Sequence, residues 1–402
     1  LASESGVTDC EPHDVVARGR LAPGDMMAVD TRTGRLLSPQ MIEDDLKTRW
    51  PCRNWLRQHA VRLESRRDEE AYYCHQLKPD QLRVRQKMFQ VTLEELDQVL
   101  RVLAEGGQEA VGSMGDDTPL PVLSHQVRAL YDYFRQQFAQ VTNPAIDPLR
   151  ERVVMSLETC FGVERNLFVE DPQHAARLTV NSPLLSGSKF RQLLEQSDPR
   201  YRHVVIELNR EGRTGLREEL EALAAEAADQ VRRGKCSVVL SDRQITPERL
   251  PVHALLATGV IHHRLIDAGL RCDANLVVDT GTARNPHEIA VLLGFGATAV
   301  HPWLAYESIA ELFATEGDGA VNAALYAYRR GINKGLYKNL SKMGISTITS
   351  YRGAQLFEAI GLHREVVELC FTGTPCRLQG AGFEELEADQ CRLAAAAWDG
   401  RQ

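Results

Sequence analysis

The sequence predicts an α/β fold with an irregular or incomplete (β/α) barrel, preceded by a segment of helices and loops. From about residue 175, short β-branched runs alternate with long helical patterns. Because parallel strands need a crossover between them, this alternation predicts a parallel sheet. Polar residues follow several of these runs, as they do at the rim of a barrel where binding sites form. Only about five clear strands can be counted, so a closed barrel and an incomplete one are equally fair interpretations.

The elements of this barrel-like part follow from the hydrophobic pattern. The strand candidates span residues 177–180, 204–208, 237–240, 276–279 and 298–301. The clearest helical patterns between them span residues 215–234 and 251–269. The polar residues at or just after the strand ends are Asn181, Glu207, Asp242, Asp279 and His301.

The N-terminal part begins with a predicted strand and turn. Residues 25–30 alternate like a strand, and Thr31-Arg-Thr-Gly34 supplies a turn before a second short run. Ser38-Pro39 is typical of a helix start. Thr92-Leu-Glu-Glu95 is a capping box, so we expect it to open a further helix that ends at Gly106-Gly107.

Residues 112–150 contain two loops and one predicted helix. Residues 112–119 form a glycine- and acid-rich loop, and the aromatic run 127–138 predicts a helix. Val141-Thr-Asn-Pro-Ala-Ile-Asp-Pro148 predicts a stiff, extended loop, because each proline disfavours helix at the residue before it. Residues 305–402 are predicted to be mainly helical, with a strand-like interruption at 343–347 and a last helix from residue 383.

Composition and charge exclude some classes of protein. The net charge of −8 gives no indication of a nucleic-acid or anionic-membrane partner. No apolar run approaches the ~18 residues that a spanning helix needs. The nine cysteines form no C-x-x-C pair, so they predict free thiols in a reducing, cytoplasmic environment.

One pair of adjacent histidines and one pair of adjacent aspartates are candidate metal ligands. His262 and His263 lie within a helical pattern, where neighbouring residues point about 100° apart. We therefore expect a core or partly exposed pair there, and no metal. Asp116 and Asp117 follow a glycine, and such pairs usually make turn and cap hydrogen bonds, so no metal is expected there either.

A glycine-rich region in the barrel-like part has the outline of a phosphate site. Val278-Asp-Thr-Gly-Thr282, Gly294-Phe-Gly296 and residues 299–302 suggest two strands with a helix between them. Barrels often bind phosphate there through backbone N–H groups. His301-Pro302-Trp303 adds bulk and removes one N–H, so the sequence predicts a vestigial site without flavin.

Lys342, Ser350 and Arg352 lie in a polar, glycine-rich stretch between predicted helices. Arg352 and Lys342 are suited to hold a carboxylate or a phosphate. They are equally suited to stabilise an interface between domains, which we consider the better interpretation.

A series of strings spread over nearly the whole chain occurs in the order found in one protein family. They are residues 3–7, 19–26, Ser113-Met-Gly-Asp-Asp-Thr-Pro119, 138–147, 154–159, 181–183, Leu240-Ser-Asp-Arg243, Val278-Asp-Thr-Gly281, Ser341-Lys-Met-Gly-Ile-Ser-Thr347, 350–361 and 371–375. By these strings the chain resembles the large (alpha) subunit of glutamate synthase along nearly its whole length.

The resemblance implies a role in making glutamate from glutamine, 2-oxoglutarate and a reductant. In this family an amidotransferase domain releases ammonia with an N-terminal cysteine. A barrel with FMN and an iron–sulfur cluster then reduces the imine. The central domain between them resembles a degenerate flavin barrel, and a reductase subunit or ferredoxin delivers electrons. Neither the nucleophilic cysteine nor the FMN domain is recognisable here, so we expect no catalytic residue, cofactor or metal in this chain.

The same resemblance predicts the domain limits and an ammonia path. Residues 1–24 resemble the end of the amidotransferase domain, and residues 25–380 the central domain. The latter has a helical part at 38–150 and a barrel-like part at 175–380, and residues 381–402 begin the linker to the FMN domain. The predicted residues of the ammonia tunnel or of a sealed domain interface are Ser113, Gly115, Asp116, Asp117, Thr118, Thr142 and Asn143. The alternative is a separate flavin or small-molecule enzyme that uses the rim at Asp242, Asp279 and His301.

Overall fold

The computed structural model describes residues 4, 6–7, 10–74, 76–110, 119–137, 147, 152–210 and 215–399. The chain divides into two units, residues 1–59 and 60–402. No helix in the described ranges combines the length and the apolar composition that a membrane span requires.

The first unit contains a hairpin and two helices. Strands β1 (Ala28–Asp30) and β2 (Arg35–Leu37) pair antiparallel, and helices α1 (Pro39–Arg49) and α2 (Cys52–His59) follow. The Asp30 carboxylate accepts hydrogen bonds from Arg32 N and Thr33 Oγ1, which closes the predicted turn. Ser38 caps α1 by accepting from Met41 N, as predicted. None of the described side chains between residues 10 and 59 is buried, so the described part of this unit has no core of its own.

A four-stranded parallel sheet organises the second unit. Its strands lie side by side in chain order: β7 (His203–Glu207), β9 (Ser237–Ser241), β11 (Asn275–Asp279) and β12 (Ala299–His301). The connections between them contain α7 (Leu216–Arg232), α8 (Ala254–Asp267) and α9 (Pro286–Gly294), together with a ribbon of β8 (Asn209–Arg210) and β10 (Leu250–Pro251). The prediction of a mixed α/β fold with a parallel sheet is confirmed.

The two faces of this sheet pack against different partners. Val238, Leu240 and Val278 belong to the large core that includes α7, α8 and α9. Val239 and Val277, which alternate with them along the strands, pack against a smaller cluster. That cluster contains residues of a three-stranded sheet and of helix α6 (Gly187–Leu194). The three strands are β3 (Val61–Arg62), β5 (Thr159–Phe161) and β6 (Leu178–Val180).

The first predicted strand of the alternation is in a different sheet. Residues 177–180 do form a strand, β6, but it pairs with β3 and β5 rather than with β7. The prediction that this run belongs to the parallel sheet was therefore wrong. Hydrophobic alternation predicts that a run is a buried strand, but it does not specify which strand lies beside it. Here the neighbouring strands are β3 and β5.

The remaining helices surround these sheets. The predicted helix after Thr92 consists of α4 (Leu93–Glu95), a π-helical turn (Leu96–Leu100) and α5 (Arg101–Gly106), and it ends at a left-handed Gly107 as expected. The other helices are α3 (Pro79–Met88), α10 (Trp303–Phe313), α11 (Asp318–Met343), α12 (Ile348–Tyr351), α13 (Arg364–Cys370) and α14 (Phe383–Trp398). Helix α14 confirms the predicted last helix.

Two predicted elements were wrong. The aromatic run 127–138 is not a helix in its described part but a 3₁₀ turn (Leu130–Tyr133) followed by β4 (Phe134–Gln136). Strand β4 pairs with β13 (Phe357–Ala359), and Phe134 packs against Phe295 and Phe371, so tertiary pairing overrides the local pattern. Residues 343–347 do not form a strand either. After α11 the chain turns at Gly344, and Thr347 makes a single bridge with Ser156.

Candidate functional site

The polar ends of the four parallel strands form one row, as the sequence predicts. The register aligns Glu207 with Ser241, Ser241 with Asp279, and Asp279 with His301. Asn181 is not part of this row, because it follows β6 in the other sheet. Its Oδ1 atom accepts a hydrogen bond of 2.5 Å from Lys189 Nζ.

Arg243, Asp279 and His301 form a hydrogen-bonded array at this edge, in which Asp279 and His301 are buried and Arg243 is partly exposed. Arg243 donates to the Asp279 carboxylate from Nε at 2.7 Å and from Nη2 at 3.1 Å. His301 Nδ1 lies 2.7 Å from Asp279 Oδ1 and donates to it. Burial alone would raise the pKa of Asp279, but the Arg243 charge and the His301 hydrogen bond lower it to about 2. Burial lowers the pKa of His301, so the imidazole is neutral at pH 7.

A pocket adjoins this array. It is lined by the strand ends at Glu207, Ser241, Asp279 and His301, by Arg243, and by residues of α6. The Phe190 ring from α6 stacks on the His301 ring, with the ring centres 4.4 Å apart. The His301 Nε2 atom is buried and has no hydrogen-bond partner among the described residues.

Asp242 occupies the donors of the glycine-rich loop after β11. Its carboxylate accepts from Gly281 N at 2.9 Å, from Thr280 Oγ1 at 2.5 Å and from Trp303 Nε1 at 2.8 Å. Asp242 is completely buried. Burial raises its pKa to about 7, against the lowering effect of these three hydrogen bonds. The N–H group that a phosphate would use in such a loop is thus taken by a side chain of the same chain.

The end of α3 covers the same loop. Phe89 lies so close that a Cβ atom on Gly281 would be 2.8 Å from its ring, and Phe89 also makes an edge contact with Trp303. Arg284 reinforces this arrangement, since it donates to Gly281 O and to both oxygens of Glu95 in α4. The helical part therefore packs directly onto the loop.

The predicted interface residues have separate surroundings. Arg352 is half-buried and donates from Nη1 to Thr298 Oγ1 at 3.0 Å, just before β12. Lys342 and Ser350 are exposed, and Ser350 Oγ lies 3.1 Å from Thr347 Oγ1. Their role at a domain interface stays a prediction.

The other predicted sites have simple structural settings or fall outside the described residues. His262 and His263 are both half-buried, and His262 Nδ1 accepts from Arg271 Nε at 2.9 Å. In the described ranges, no group of three His, Cys, Asp or Glu side chains is arranged to hold a metal ion. The predicted tunnel residues Ser113, Gly115, Asp116, Asp117, Thr118, Thr142 and Asn143 all lie outside the described residues.

Sequence reasoning missed Arg243 and Phe89. Arg243 comes two residues after the end of β9, so the argument that singled out Asp242 applied to it equally. Phe89 carries no comparable signal. It ends a helix more than 190 positions away in the chain, and only the tertiary packing brings it to Gly281.

Comparison with known families gives two matches. Residues 84–363 match the glutamate synthase central domain, and residues 1–55 match class-II glutamine amidotransferases. The sequence-based domain boundary at residue 24 differs from the end of the second match, and it stays a prediction.

Curated relatives match almost the whole chain. It is 38% identical to the NADH glutamate synthase of Schizosaccharomyces pombe over 98% of its length, and 37% identical to the NADPH glutamate synthase large chain of Azospirillum brasilense over 99%. It is 39% identical to ferredoxin-dependent glutamate synthase 2 of Synechocystis over 97%. The chain spans only 19% of the first relative and 26% of the other two.

Solved structures give a much weaker likeness. A flavocytochrome b2 mutant aligns with 81% of this chain and 94% of its own, at 12% identity and a TM-score of 0.30. A likeness this weak carries no argument about a barrel.

Proposed function

This chain belongs to the glutamate synthase central domain family, and we propose that it links an amidotransferase domain to an FMN-containing synthase domain within one longer polypeptide. The complete protein would convert glutamine, 2-oxoglutarate and reductant into two molecules of glutamate. This chain would hold the two active sites in register and would line part of the ammonia path between them.

The observation that carries this proposal is the order of the two family matches. The amidotransferase match at 1–55 precedes the central-domain match at 84–363 on the same chain. A chain that contains the junction between these two domains is suited to fix the position of one domain relative to the other. The electron-delivering partner would be a reductase subunit or ferredoxin. Nine free cysteines support a cytoplasmic location.

The barrel-like part is, in this proposal, an incomplete (β/α) barrel related to a flavin-binding one. Two features support it. Successive parallel strands β7, β9, β11 and β12 are neighbours in chain order, as barrel strands are. Helices cover one face of the parallel sheet, and the other face packs against the three-stranded sheet and α6. At the β12 edge, Leu184 forms a parallel β-bridge with Val300.

The isolated chain would hold no flavin. Support comes from the glycine-rich loop, where Asp242 occupies the Gly281 N–H and Phe89 covers the backbone. An FMN phosphate would have to displace a buried carboxylate and a packed aromatic ring together. Reduction of the imine would then belong entirely to the FMN-containing domain.

A titration of the purified chain with FMN, followed by absorbance and fluorescence, tests this assignment, with glutaminase activity assayed alongside. We expect neither FMN binding nor glutamine hydrolysis. Stoichiometric FMN binding would contradict the vestigial site and favour the alternative of a flavin enzyme that uses the strand ends. Turnover of glutamine by this chain would contradict the linking role.

The ammonia path requires a test in the complete polypeptide. Asn143→Trp or Thr142→Trp would narrow the proposed tunnel, so glutamine-dependent glutamate synthesis should fall and free ammonia should accumulate. Synthesis from added ammonium should persist, because that route bypasses the tunnel. Leu123→Trp is the matched control, since Leu123 is 68% exposed. An equal loss of both activities would reject the tunnel assignment.

A further inference from the structure

The pocket at the strand ends has features that the linking role does not explain. Its volume is about 240 Å³. One part of its lining is apolar, from Phe190, Leu194, Val205 and Val239. The other part carries Arg243, Arg191 and Glu207. Such a combination of an apolar wall and a few converging polar groups is typical of small-molecule sites.

The Arg243 guanidinium is held rigidly, and its Nη1 nitrogen, which carries two N–H groups, is left for another acceptor. Nε and Nη2 both donate to the Asp279 carboxylate. The Trp303 ring lies against the guanidinium, with its centre 5.2 Å from Cζ. Nη1 makes no hydrogen bond to any described residue, and the side chain is 27% exposed where it lines the pocket. A guanidinium fixed in this way is prepared to donate to an oxygen of a ligand at little cost in side-chain entropy.

A second observation indicates that the pocket is incomplete without a ligand or water. His301 lines it and is 4% exposed, and its Nε2 atom has no hydrogen-bond partner in the described part of the chain. Nδ1 is used by Asp279, so Nε2 is an acceptor. Buried polar atoms are nearly always hydrogen-bonded, so Nε2 needs a donor that water or a ligand supplies. A carboxylate has no proton to donate, so beside a carboxylate ligand this donor would be a water that also donates to a carboxylate oxygen.

We propose that this pocket binds a small organic carboxylate, whose oxygen accepts from Arg243 Nη1 and whose carbon chain lies along Phe190 and Val205. The charged groups of the lining are Arg191, Arg243, Glu207 and Asp279, so their formal charges cancel. A carboxylate adds a single negative charge. A phosphate would place more negative charge beside Glu207 and Asp279, and the backbone donors it prefers are used by Asp242.

The site is independent of the linking role, because it uses only side chains within residues 60–402. Both proposals can therefore fail separately. A chain that binds propanoate but does not connect the two catalytic domains would reject only the linking role.

The test is a saturation-transfer NMR and calorimetric titration of the full chain with propanoate, propanamide and inorganic phosphate. Propanamide has the shape of propanoate without its charge. We expect saturable binding of propanoate at millimolar concentration, at least about tenfold tighter than that of propanamide or phosphate. The absence of saturable propanoate binding, or equal binding of propanamide, would overturn the proposal. Tighter binding of phosphate would also overturn it.

Two variants locate the binding. Val205→Trp fills the pocket from a position that is 41% exposed, and it leaves the Arg243–Asp279–His301 array intact. Arg243→Lys keeps a positive charge beside Asp279 but lacks the free N–H of the fork. Each should weaken propanoate binding at least about tenfold. Arg200→Lys, which changes an arginine paired with Asp198, is the matched control and should bind as the original chain does. Unchanged binding in Val205→Trp would reject the pocket as the site.

Discussion

At the scale of single residues, two buried carboxylates have opposite surroundings. Asp279 faces Arg243 and His301, which lower its pKa to about 2 although burial acts in the other direction. Asp242 receives only neutral donors, and burial raises its pKa to about 7. A positive charge compensates the loss of hydration far better than neutral hydrogen bonds do. Asp279 is therefore ionised at neutral pH, whereas the Asp242 carboxyl titrates close to neutral pH.

Removal of the Asp242 carboxylate should destabilise the second unit. Asp242→Ala leaves Gly281 N–H and Trp303 Nε1–H buried without an acceptor, which should lower the free energy of unfolding by about 3 kcal/mol. Asp242→Asn keeps one acceptor oxygen in place and should lower it by less than about 1 kcal/mol below pH 4, where the original carboxyl is also protonated. Urea denaturation measures both values. Equal stability of the two variants would show that these donors find other partners.

The same residue predicts a dependence of stability on pH. A carboxyl group whose pKa is higher in the folded than in the unfolded state stabilises fully below the unfolded value, near 4. Its contribution is lost as pH rises through the folded value, near 7. Asp242→Asn should therefore gain stability relative to the original chain between pH 4 and 7, by up to about 1.4 kcal/mol per pH unit.

Denaturation midpoints measured across that pH range check this prediction. Asp229→Asn, which removes a carboxylate on the exposed side of α7, is the control for the general effect of losing one negative charge. A difference between Asp242→Asn and the original chain that does not change with pH would contradict the raised pKa.

At the scale of elements, helices α8 and α13 touch through a glycine. A Cβ atom on Gly259 would lie 2.0 Å from the carbonyl oxygen of Cys370. Both residues are buried, and the contact is with backbone, which cannot rotate away as a side chain can. The close approach of the two helices therefore depends on the absence of a side chain at this position.

Gly259→Ala should consequently push α13 away from α8 and lower the free energy of unfolding by about 3 kcal/mol. The control is Gly319→Ala in α11, where nothing lies within 4 Å of the added Cβ atom. There the loss of backbone freedom in the unfolded chain should raise stability by about 0.5 kcal/mol. Chemical denaturation of both variants distinguishes packing from helix propensity, and equal effects would contradict the packing argument.

At the scale of the whole molecule, the two units differ in how they are stabilised. The second contains the parallel sheet and three hydrophobic clusters, all within residues 60–402. The described part of the first unit has no buried side chain and exposes Met26, Val29, Leu46 and Leu56. In its described part, the first unit therefore lacks the apolar burial that stabilises the second.

Deletion of residues 1–59 should therefore leave the second unit folded. We expect a cooperative thermal transition of residues 60–402 within about 2 °C of that of the full chain. Residues 1–59 alone should show no cooperative transition, because burial is too small to offset the loss of chain entropy. Calorimetry and circular dichroism measure both. Loss of the transition on deletion would mean that the first unit contributes to the core of the second.

The features that the sequence by itself determined are those set by local interactions and by the periodicity of hydrophobic residues. Helix caps, such as Ser38 before α1 and Thr92 before α4, depend on hydrogen bonds within four residues, so the sequence predicts them directly. Four of the five predicted strands joined the parallel sheet, because buried runs separated by helices have few other arrangements. The row formed by Glu207, Asp279 and His301 followed from those strand ends.

The tertiary structure alone decided which distant groups meet. The pairing of residues 177–180 with β5, and of Phe134 with β13, depends on contacts between segments distant in the chain, which outweigh local preference. The same holds for Phe89 on Gly281 and for Asp242 on the loop donors. A loop with the outline of a phosphate site is thereby filled by the protein itself. The reason is physical: a buried donor needs an acceptor, and only the folded chain specifies which atom supplies it.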